Sequence, residues 1–322
     1  MSLESKPTPE LSIVIGLIAG GSDVMRSFLR ALEPSIGSHQ IECLAPYDAR
    51  LDQVEQLRSE FPWVTFLDCR SEIDSSQYGD LSREHHDILR AAGLRAARGR
   101  LVALVEDHAV LDPSWVETMI TAHQGPEAAI GGAVENGVDR LLNWAVYYCD
   151  FGRYQAPLPE GPAEFLSDAN TCYKRSTLER VRDLWADAFH ETSVNWKLRE
   201  LGESLRLEAK AVARQNRTGL KLGPALLERF VWGRSFAGTR AREVSTPKRW
   251  ILAAFSPLLA PLLTVRILRL GLSKRRNNLT LLAALPLIFV LQIAWSLGEF
   301  TGYVTAAPEP ARIKRSTAAM SS

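Results

Sequence analysis

Short apolar runs alternate with amphipathic stretches over the first hundred residues. Leu11-Ser-Ile-Val-Ile-Gly16, bounded by Pro9 and Gly16, has the continuous apolar character of a strand buried on both faces. Ala19 to Ser22 turns the chain, and Val24 to Leu32 has helical spacing with Phe28 and Leu29 able to face a core. Ile41 to Leu44 reads as a second strand ending at Pro46-Tyr-Asp48, Leu51 to Phe61 as a helix, and Val64 to Leu67 as a third strand. After a polar loop from Asp68 to Gly79, Arg83 to Arg98 predicts a long helix stopped by Gly99. Its Ala91, Ala92, Ala96 and Ala97 are small enough to lie close on a sheet. Leu101 to Val105 is the fourth strand. Alternation of this kind predicts βαβ units in an α/β fold.

Farther along, Asp112 is placed as an N-cap with Pro113 at the first helical position. Gly131-Gly132 predicts a turn, and Thr171 to Arg175 a strand or loop opening a helix near Ser176. Val194 to Leu201 reads as a helix stopped by Gly202, and Ser204 to Val212 as an edge strand. From Trp250 the pattern changes. Trp250 to Val265 is almost wholly apolar but carries Pro257 and Pro261, and Leu279 to Leu297 is long enough to cross a bilayer. Between them lie Arg266, Arg269, Lys274, Arg275 and Arg276. Two full crossings would put Lys274-Arg-Arg276 on the far side, against the positive-inside tendency. A first segment lying in the interface keeps those charges cytoplasmic, but then the tail Arg312-Ile-Lys-Arg315 is exported if the second segment spans. The expected organisation is a disordered segment 1–10, a catalytic domain 11–245, membrane-associated helices 246–305 and a flexible basic tail 306–322.

Charge and cysteine content narrow the classes. In 322 residues, 38 Lys and Arg against 37 Asp and Glu leave a net charge of +1, so no global field argues for nucleic acid. Cys43, Cys69, Cys149 and Cys172 are scattered without a Cys-x-x-Cys pair and read as small apolar side chains in a reducing compartment. Met1 to Glu10 lacks the basic start and apolar core of a signal peptide. Asn216-Arg-Thr218 and Asn278-Leu-Thr280 are taken as chance sequons.

The candidate chemistry sits where the fourth strand ends. Burying Leu101 to Val105 delivers Glu106, Asp107 and His108 to the carboxyl edge of a sheet, where open α/β folds bind ligands. Carboxylates there suit a divalent cation carrying phosphate oxygens, and an imidazole ligand tilts the choice from Mg²⁺ toward Mn²⁺. An ordinary polar loop after a strand is the other reading. His85-His86-Asp87 is assigned no role, because adjacent histidines on a helix point in different directions.

Several motifs in order resemble the family 2 glycosyltransferases over about residues 11 to 236. Leu89-Arg-Ala-Ala-Gly-Leu-Arg-Ala-Ala-Arg-Gly99 is similar to the Arg-Asn-x-Gly-(x)-x-Ala-x-Gly segment of that family, with Ala91 where Asn is usual. Glu106-Asp-His108 stands in the place of Asp-x-Asp, and Leu111-Asp-Pro-Ser-Trp-Val116 resembles the Pro-x-Trp that follows. Asp168-Ala-Asn-Thr-Cys-Tyr-Lys-Arg175 looks like an acceptor-side stretch, and His190-Glu-Thr-Ser-Val-Asn-Trp-Lys-Leu-Arg-Glu-Leu-Gly202 like the segment that supplies the catalytic base. Arg229-Phe-Val-Trp-Gly-Arg-Ser-Phe236 is similar to a segment preceding membrane helices in some members; it fits an amphipathic helix at a bilayer or a core-facing one.

The resemblance implies a GT-A fold, a Rossmann-like nucleotide-diphospho-sugar transferase domain followed by C-terminal membrane-associated helices. Glu106 and His108 would then hold the cation, with Asp107 on ribose or on the cation through water. Glu191 would be the general base, with His190 as the outside candidate and a dipole-stabilising acid as the bland reading of Glu191. Asp48 would meet a uracil or guanine edge, or else cap a helix. Arg90 would meet diphosphate oxygens unless it is a surface arginine. Asp168, Asn170, Lys174 and Arg175 would lie on the acceptor side, the last two alternatively capping a helix. The implied activity is inverting transfer from a nucleotide sugar to a lipid-linked or polysaccharide precursor in envelope or exopolysaccharide synthesis, with membrane lipids as partners and the catalytic domain cytoplasmic. A sugar nucleotidyltransferase and a non-catalytic scaffold are the rivals.

Overall fold

A computed structural model describes residues 8–36, 39–73, 83–242 and 244–307. The expected basic tail from 308 onward, residues 1–7 and the end of the polar loop after Asp68 lie outside the described residues. The chain divides into two compact units. The first comprises Met1–Arg70, His86–Glu135 and Ala156–Gln215, and the second Ser71–His85, Asn136–Gln155 and Asn216–Ser322.

The opening elements are β1 (Leu11–Gly16), α1 (Ser22–Ile36), β2 (Ile41–Tyr47), α2 (Val54–Glu60), β3 (Val64–Asp68), α3 (Arg83–Ala96) and β4 (Leu101–Glu106). There follow β5 (Ala109–Leu111), α4 (Trp115–Ala122), β6 (Ala129–Asn136), α5 (Leu141–Asp150), β7 (Gly161–Ala163), β8 (Asn170–Lys174), α6 (Arg175–Glu179), α7 (Glu191–Glu200) and β9 (Leu205–Gln215). The second unit adds α8 (Leu222–Arg240), α9 (Thr246–Phe255), α10 (Leu259–Ser273) and α11 (Asn278–Thr305).

The α/β class expected from the alternating pattern is what the first unit adopts. Its nine-stranded sheet runs β3-β2-β1-β4-β8-β6-β9-β5, with β7 also on β9. The β3-β2-β1-β4 half is parallel, whereas β8 pairs antiparallel with both β4 and β6. Every residue of β1 and β4 is buried, as strands covered on both faces require. Val14, Leu44, Val102 and Leu104 share one core with Leu94 of α3, Trp185, Phe189, and Val194 and Leu198 of α7. α3 lies tightly on β1, since a Cβ at Gly93 would come within 2.3 Å of Val14 Cγ1.

Register positions the site. Gly16 pairs with Glu106 and Leu11 with Leu101, so β1 and β4 end together. Because β8 is antiparallel, Asn170 opposite Val105 begins at that same edge. The segments after β1, β2 and β4 and the segment before β8 therefore meet at one corner, where crevices of open α/β sheets form.

Three sequence expectations need correction. Gly131-Gly132 is not a turn but lies inside β6. A Cβ on Gly132 would lie 2.0 Å from Ala211 O and 2.3 Å from Asn170 Nδ2, so the glycine makes room for a neighbouring strand. β9 is not an edge strand, because β6 flanks it on one side and β5 and β7 on the other. Asp112 does not cap α4. Its Oδ1 accepts from Ser114 N and Oγ at 3.1 and 2.9 Å, bracing the turn before the helix starts at Trp115.

In the second unit α8 and α11 cross at backbone contact. Cβ atoms on Gly298 and Gly302 would meet Phe230 O at 2.1 Å and Arg234 O at 2.4 Å, and one on Gly233 would meet Trp295 O at 2.4 Å. Small residues at such spacing let helices approach closely where solvent supplies little hydrophobic drive. Arg229 of α8 is buried, ion-paired with Asp150 and 4.8 Å over the Trp295 ring. Its neighbour Phe236 faces outward, so the segment is neither wholly core-facing nor wholly exposed. Thr246–Ser273 and Asn278–Thr305 are each long and apolar enough to cross a membrane. The first is α9 and α10 joined through a 3-10 turn containing Pro257. The four cysteines, all among the described residues, form no disulfide.

Candidate active site

The corner at the end of β4 is built around a run of three buried polar residues. Glu106 Oε2 accepts a hydrogen bond from Gln215 Nε2 at 2.9 Å, and its Oε1 lies 3.5 Å from Arg90 Nη2. His108 Nδ1 lies 3.1 Å from Asp107 Oδ1, which places the ring proton on Nδ1 and leaves Nε2 as the basic nitrogen. That Nε2 is buried without a hydrogen-bond partner and sits 3.5 Å from Glu106 Oε2. Burial pushes the Glu106 carboxyl up, while His108 and Arg90 draw it back.

Asp107 turns the other way. Ala19 N and Gly20 N donate to its two oxygens at 3.0 and 2.8 Å. Gly20 and Gly21 have φ of 70° and 86°, a region glycine enters without penalty, and this conformation aims the amides at the carboxylate. Burial raises the Asp107 carboxyl, but His108 and the two amides outweigh it and hold it below the usual range. Ser22 N, at the start of α1, donates to Asp52 Oδ1 at 2.9 Å. Carboxylates of the chain thus already occupy the anion-favouring end of α1.

Arg90 gathers three acids. Its Nη1 is 2.9 Å from Asp168 Oδ2 and 3.3 Å from Asp87 Oδ1, with Glu106 on the other terminal nitrogen. Burial would lower the guanidinium's pKa, and Asp168, Asp87 and Glu106 raise it instead. Asp87 Oδ2 is 3.2 Å from His190 Nδ1, at ion-pair distance but short of hydrogen-bond alignment. Glu191, the first residue of α7, accepts from Asp168 N and from Asn195 Nδ2, each at 3.3 Å. Asn195 is fixed in turn by the Tyr173 hydroxyl at 2.8 Å.

The structure brings Glu106, Asp107, His108, Arg90, Asp168 and Glu191 together and sends the other expected residues elsewhere. Arg90, expected on diphosphate oxygens, is buried among the carboxylates of Asp87, Glu106 and Asp168. Asp107, expected on ribose or on the cation through water, accepts from the loop amides and lies beside His108. Asp48 is buried and engaged by Arg50, whose Nη2 reaches Oδ2 at 2.9 Å and whose backbone N reaches Oδ1 at 2.8 Å. Nor does Asp48 cap α2, which begins at Val54 after Gln53. Asn170 is fully buried in the core: it accepts from Trp115 Nε1 and donates to Ala133 O and Ala211 O, all at 2.8 Å. Lys174 and Arg175 lie at the opposite end of β8, about 13 Å along the strand. There they contact Gly125 O and Arg98 O. Both are thus remote from the β4 corner.

Two residues of this cluster escaped the sequence reading. Asp87 stands one helical turn before Arg90, a spacing that pairs side chains on a helix, and that signal was available. Gln215 carried no signal, because only the pairing of β5 with β9 brings it to Glu106.

Among the described residues no group of three or more His, Cys, Asp or Glu side chains forms a metal cage. The Glu106–His108 pair nevertheless fits a divalent cation. An unpartnered buried imidazole nitrogen and a carboxylate oxygen converge, and ions that work on phosphates commonly take one or two protein ligands plus phosphate oxygens.

No protein-family model matches the chain, and no curated protein matches it. Among solved structures it is similar to the mannosyltransferase PcManGT from Pyrobaculum calidifontis in complex with GDP-Man and Mn²⁺. That likeness has 13% identity, covers 94% of this chain and 86% of that one, and has a TM-score of 0.49. It is also similar to S. aureus TarS 1–349 in complex with UDP-GlcNAc, at 11% identity over 92% of each chain with a TM-score of 0.42.

Proposed function

We propose that this chain is a membrane-associated inverting glycosyltransferase of the GT-A type, moving a sugar from a nucleotide-diphosphate donor to a lipid-linked or polysaccharide precursor. The observation that carries the reading is the Glu106–His108 pair, buried where the parallel strands end, with His108 Nε2 unpartnered and 3.5 Å from Glu106 Oε2. Glu106 and His108 would hold a divalent cation, Mn²⁺ or Mg²⁺, which when bound supplies positive charge for the phosphate oxygens of the leaving diphosphate. Gln215 and Arg90 keep the Glu106 carboxylate turned toward that point, and Asp107 fixes the ring of His108. The proton of the acceptor hydroxyl is taken by a group at the head of α7, where Glu191 and His190 are the two candidates. One base acting opposite the departing group inverts the anomeric centre.

The engaged amides of Ala19 and Gly20 speak against a sugar nucleotidyltransferase, which cradles triphosphate on such a loop. The second unit supports the membrane assignment. Leu262 is 63% exposed and Leu279 84%, within a broad outward apolar surface that includes Ile251, Phe255 and Leu258. Lys248 and Arg249 stand at the head of the first segment and Arg275 and Arg276 between the two, cations of the kind that border membrane helices.

Incubating the full chain with a panel of UDP-, GDP- and dTDP-sugars and Mn²⁺ tests the reading. Release of nucleoside diphosphate is expected with at least one donor, and loss of that release in His108→Ala. No turnover with any donor, or pyrophosphate release from a nucleoside triphosphate, overturns it. Full complementation of a deletion by His108→Ala would favour the scaffold.

A further inference from the structure

The head of α7 offers two groups for the acceptor's proton, and their surroundings differ. Both Glu191 oxygens accept hydrogen bonds, from Asp168 N and Asn195 Nδ2, and these brace α7 against the segment before β8. Hydrogen bonds to the ionised form make a carboxylate a poorer base. His190, the preceding residue, is half-exposed and has a wholly buried carboxylate, Asp87, 3.2 Å from Nδ1. Asp87 projects from α3, and Phe189 N donates to its backbone oxygen at 2.9 Å, tying the two residues' elements together beside the ring.

The charged groups around His190 come from three elements among the described residues. Asp87 faces it from α3; Arg90, also on α3, lies behind Asp87; Asp168 comes from the segment before β8; Glu191 follows on α7. Among the described residues Arg90 lies within 3.5 Å of Asp87, Asp168 and Glu106.

We infer that Asp87 and His190 form the proton-accepting dyad of this enzyme, with His190 the catalytic residue and Asp87 the positioning residue. The inference rests on the transferase reading above. The Asp87 carboxylate 3.2 Å from Nδ1 favours a proton on that nitrogen, which leaves Nε2 as the basic atom. As the acceptor oxygen bonds to the anomeric carbon, the bond from that carbon to the diphosphate oxygen breaks. Its electron pair leaves on the nucleoside diphosphate. The acceptor's O–H proton passes to Nε2, and the imidazolium returns it to solvent after product departs.

The experiment is the pH dependence of nucleoside diphosphate release by the full chain, using the donor sugar from the UDP-, GDP- and dTDP-sugar panel that turns over. An imidazole base places the acidic limb near about pH 6.5, a glutamate base near about 4.3. His190→Ala is expected to lose about 10²- to 10⁴-fold in kcat, the usual contribution of general base catalysis, with KM for the donor unchanged. Added imidazole should restore part of it. Glu191→Gln should keep the limb near 6.5, and Asp87→Asn should lower kcat while leaving the protein folded by circular dichroism. A limb near 4.3, or His190→Ala with undiminished kcat, overturns the dyad while leaving the transferase reading intact. Absence of turnover with every donor overturns both.

Discussion

Arg90→Met isolates the charge balance of the β4 corner. The guanidinium lies 2.9, 3.3 and 3.5 Å from Asp168, Asp87 and Glu106, and it is buried with them. Each contact is on the order of 5 kcal/mol of attraction at an effective dielectric of about 20. Most of that is offset by the cost of taking the charges out of water, and removing one partner of a buried ion pair costs about 3–5 kcal/mol net. Methionine fills similar volume, so the loss is electrostatic rather than a cavity. Hydrogen exchange of peptides from α3 and β4 measures it without requiring the two units to unfold together. At pH 7 their protection should fall about 100- to 3,000-fold. The pH dependence has a definite sign. Burial already raises the Glu106 carboxyl and Arg90 opposes it, so without Arg90 the folded-state value climbs further above the unfolded one. The variant's folded state then binds a proton more readily than its unfolded state. Its deficit should shrink as pH falls toward 5 and be full at neutral pH. Unchanged protection at pH 7, or a deficit that grows on acidification, would refute this account of the cluster.

Two further substitutions test the packing around the site and in the second unit. Asn170→Ala strands Trp115 Nε1 and the Ala133 and Ala211 carbonyls, at about 1–3 kcal/mol for each buried group. The melting transition reported by the first unit should fall by about 5 °C or more, and an unchanged transition would show that Asn170 is no core staple. Gly298→Leu drives a side chain into Phe230 O and Arg234 N, which are backbone and cannot rotate aside. Exchange across α8 and α11 should quicken markedly while β1 and β4 keep their protection; a silent substitution would mean the helices do not cross there.

The parallel half of the sheet was legible because each of its strands is a continuous apolar run, and such a run admits few structures. The position of Glu106, Asp107 and His108 followed from the same logic, since polar residues after a buried strand emerge at its end. What failed needed partners that sit far away in sequence. Gly131-Gly132 carries the dipeptide signature of a turn, and only the presence of Asn170 beside it explains why a strand wants glycine there. Asn170 itself has the look of a ligand contact, since nothing in its local sequence says that Trp115 and two carbonyls will surround it. Lys174 and Arg175 sit four and five residues beyond Asn170. Because β8 runs antiparallel to β4, that distance carries them away from the corner. Asp87 was passed over beside two histidines that drew attention, although its spacing from Arg90 was informative.

The carboxylate of Asp107 settles the shape of the turn after β1 when the protein folds. Ordering a backbone residue costs about 1–2 kcal/mol, and for this turn that entropy has been surrendered before any guest approaches. A molecule entering the corner meets a rigid wall on one side, so less of its contact energy is consumed in immobilising the host and more remains to hold it in place.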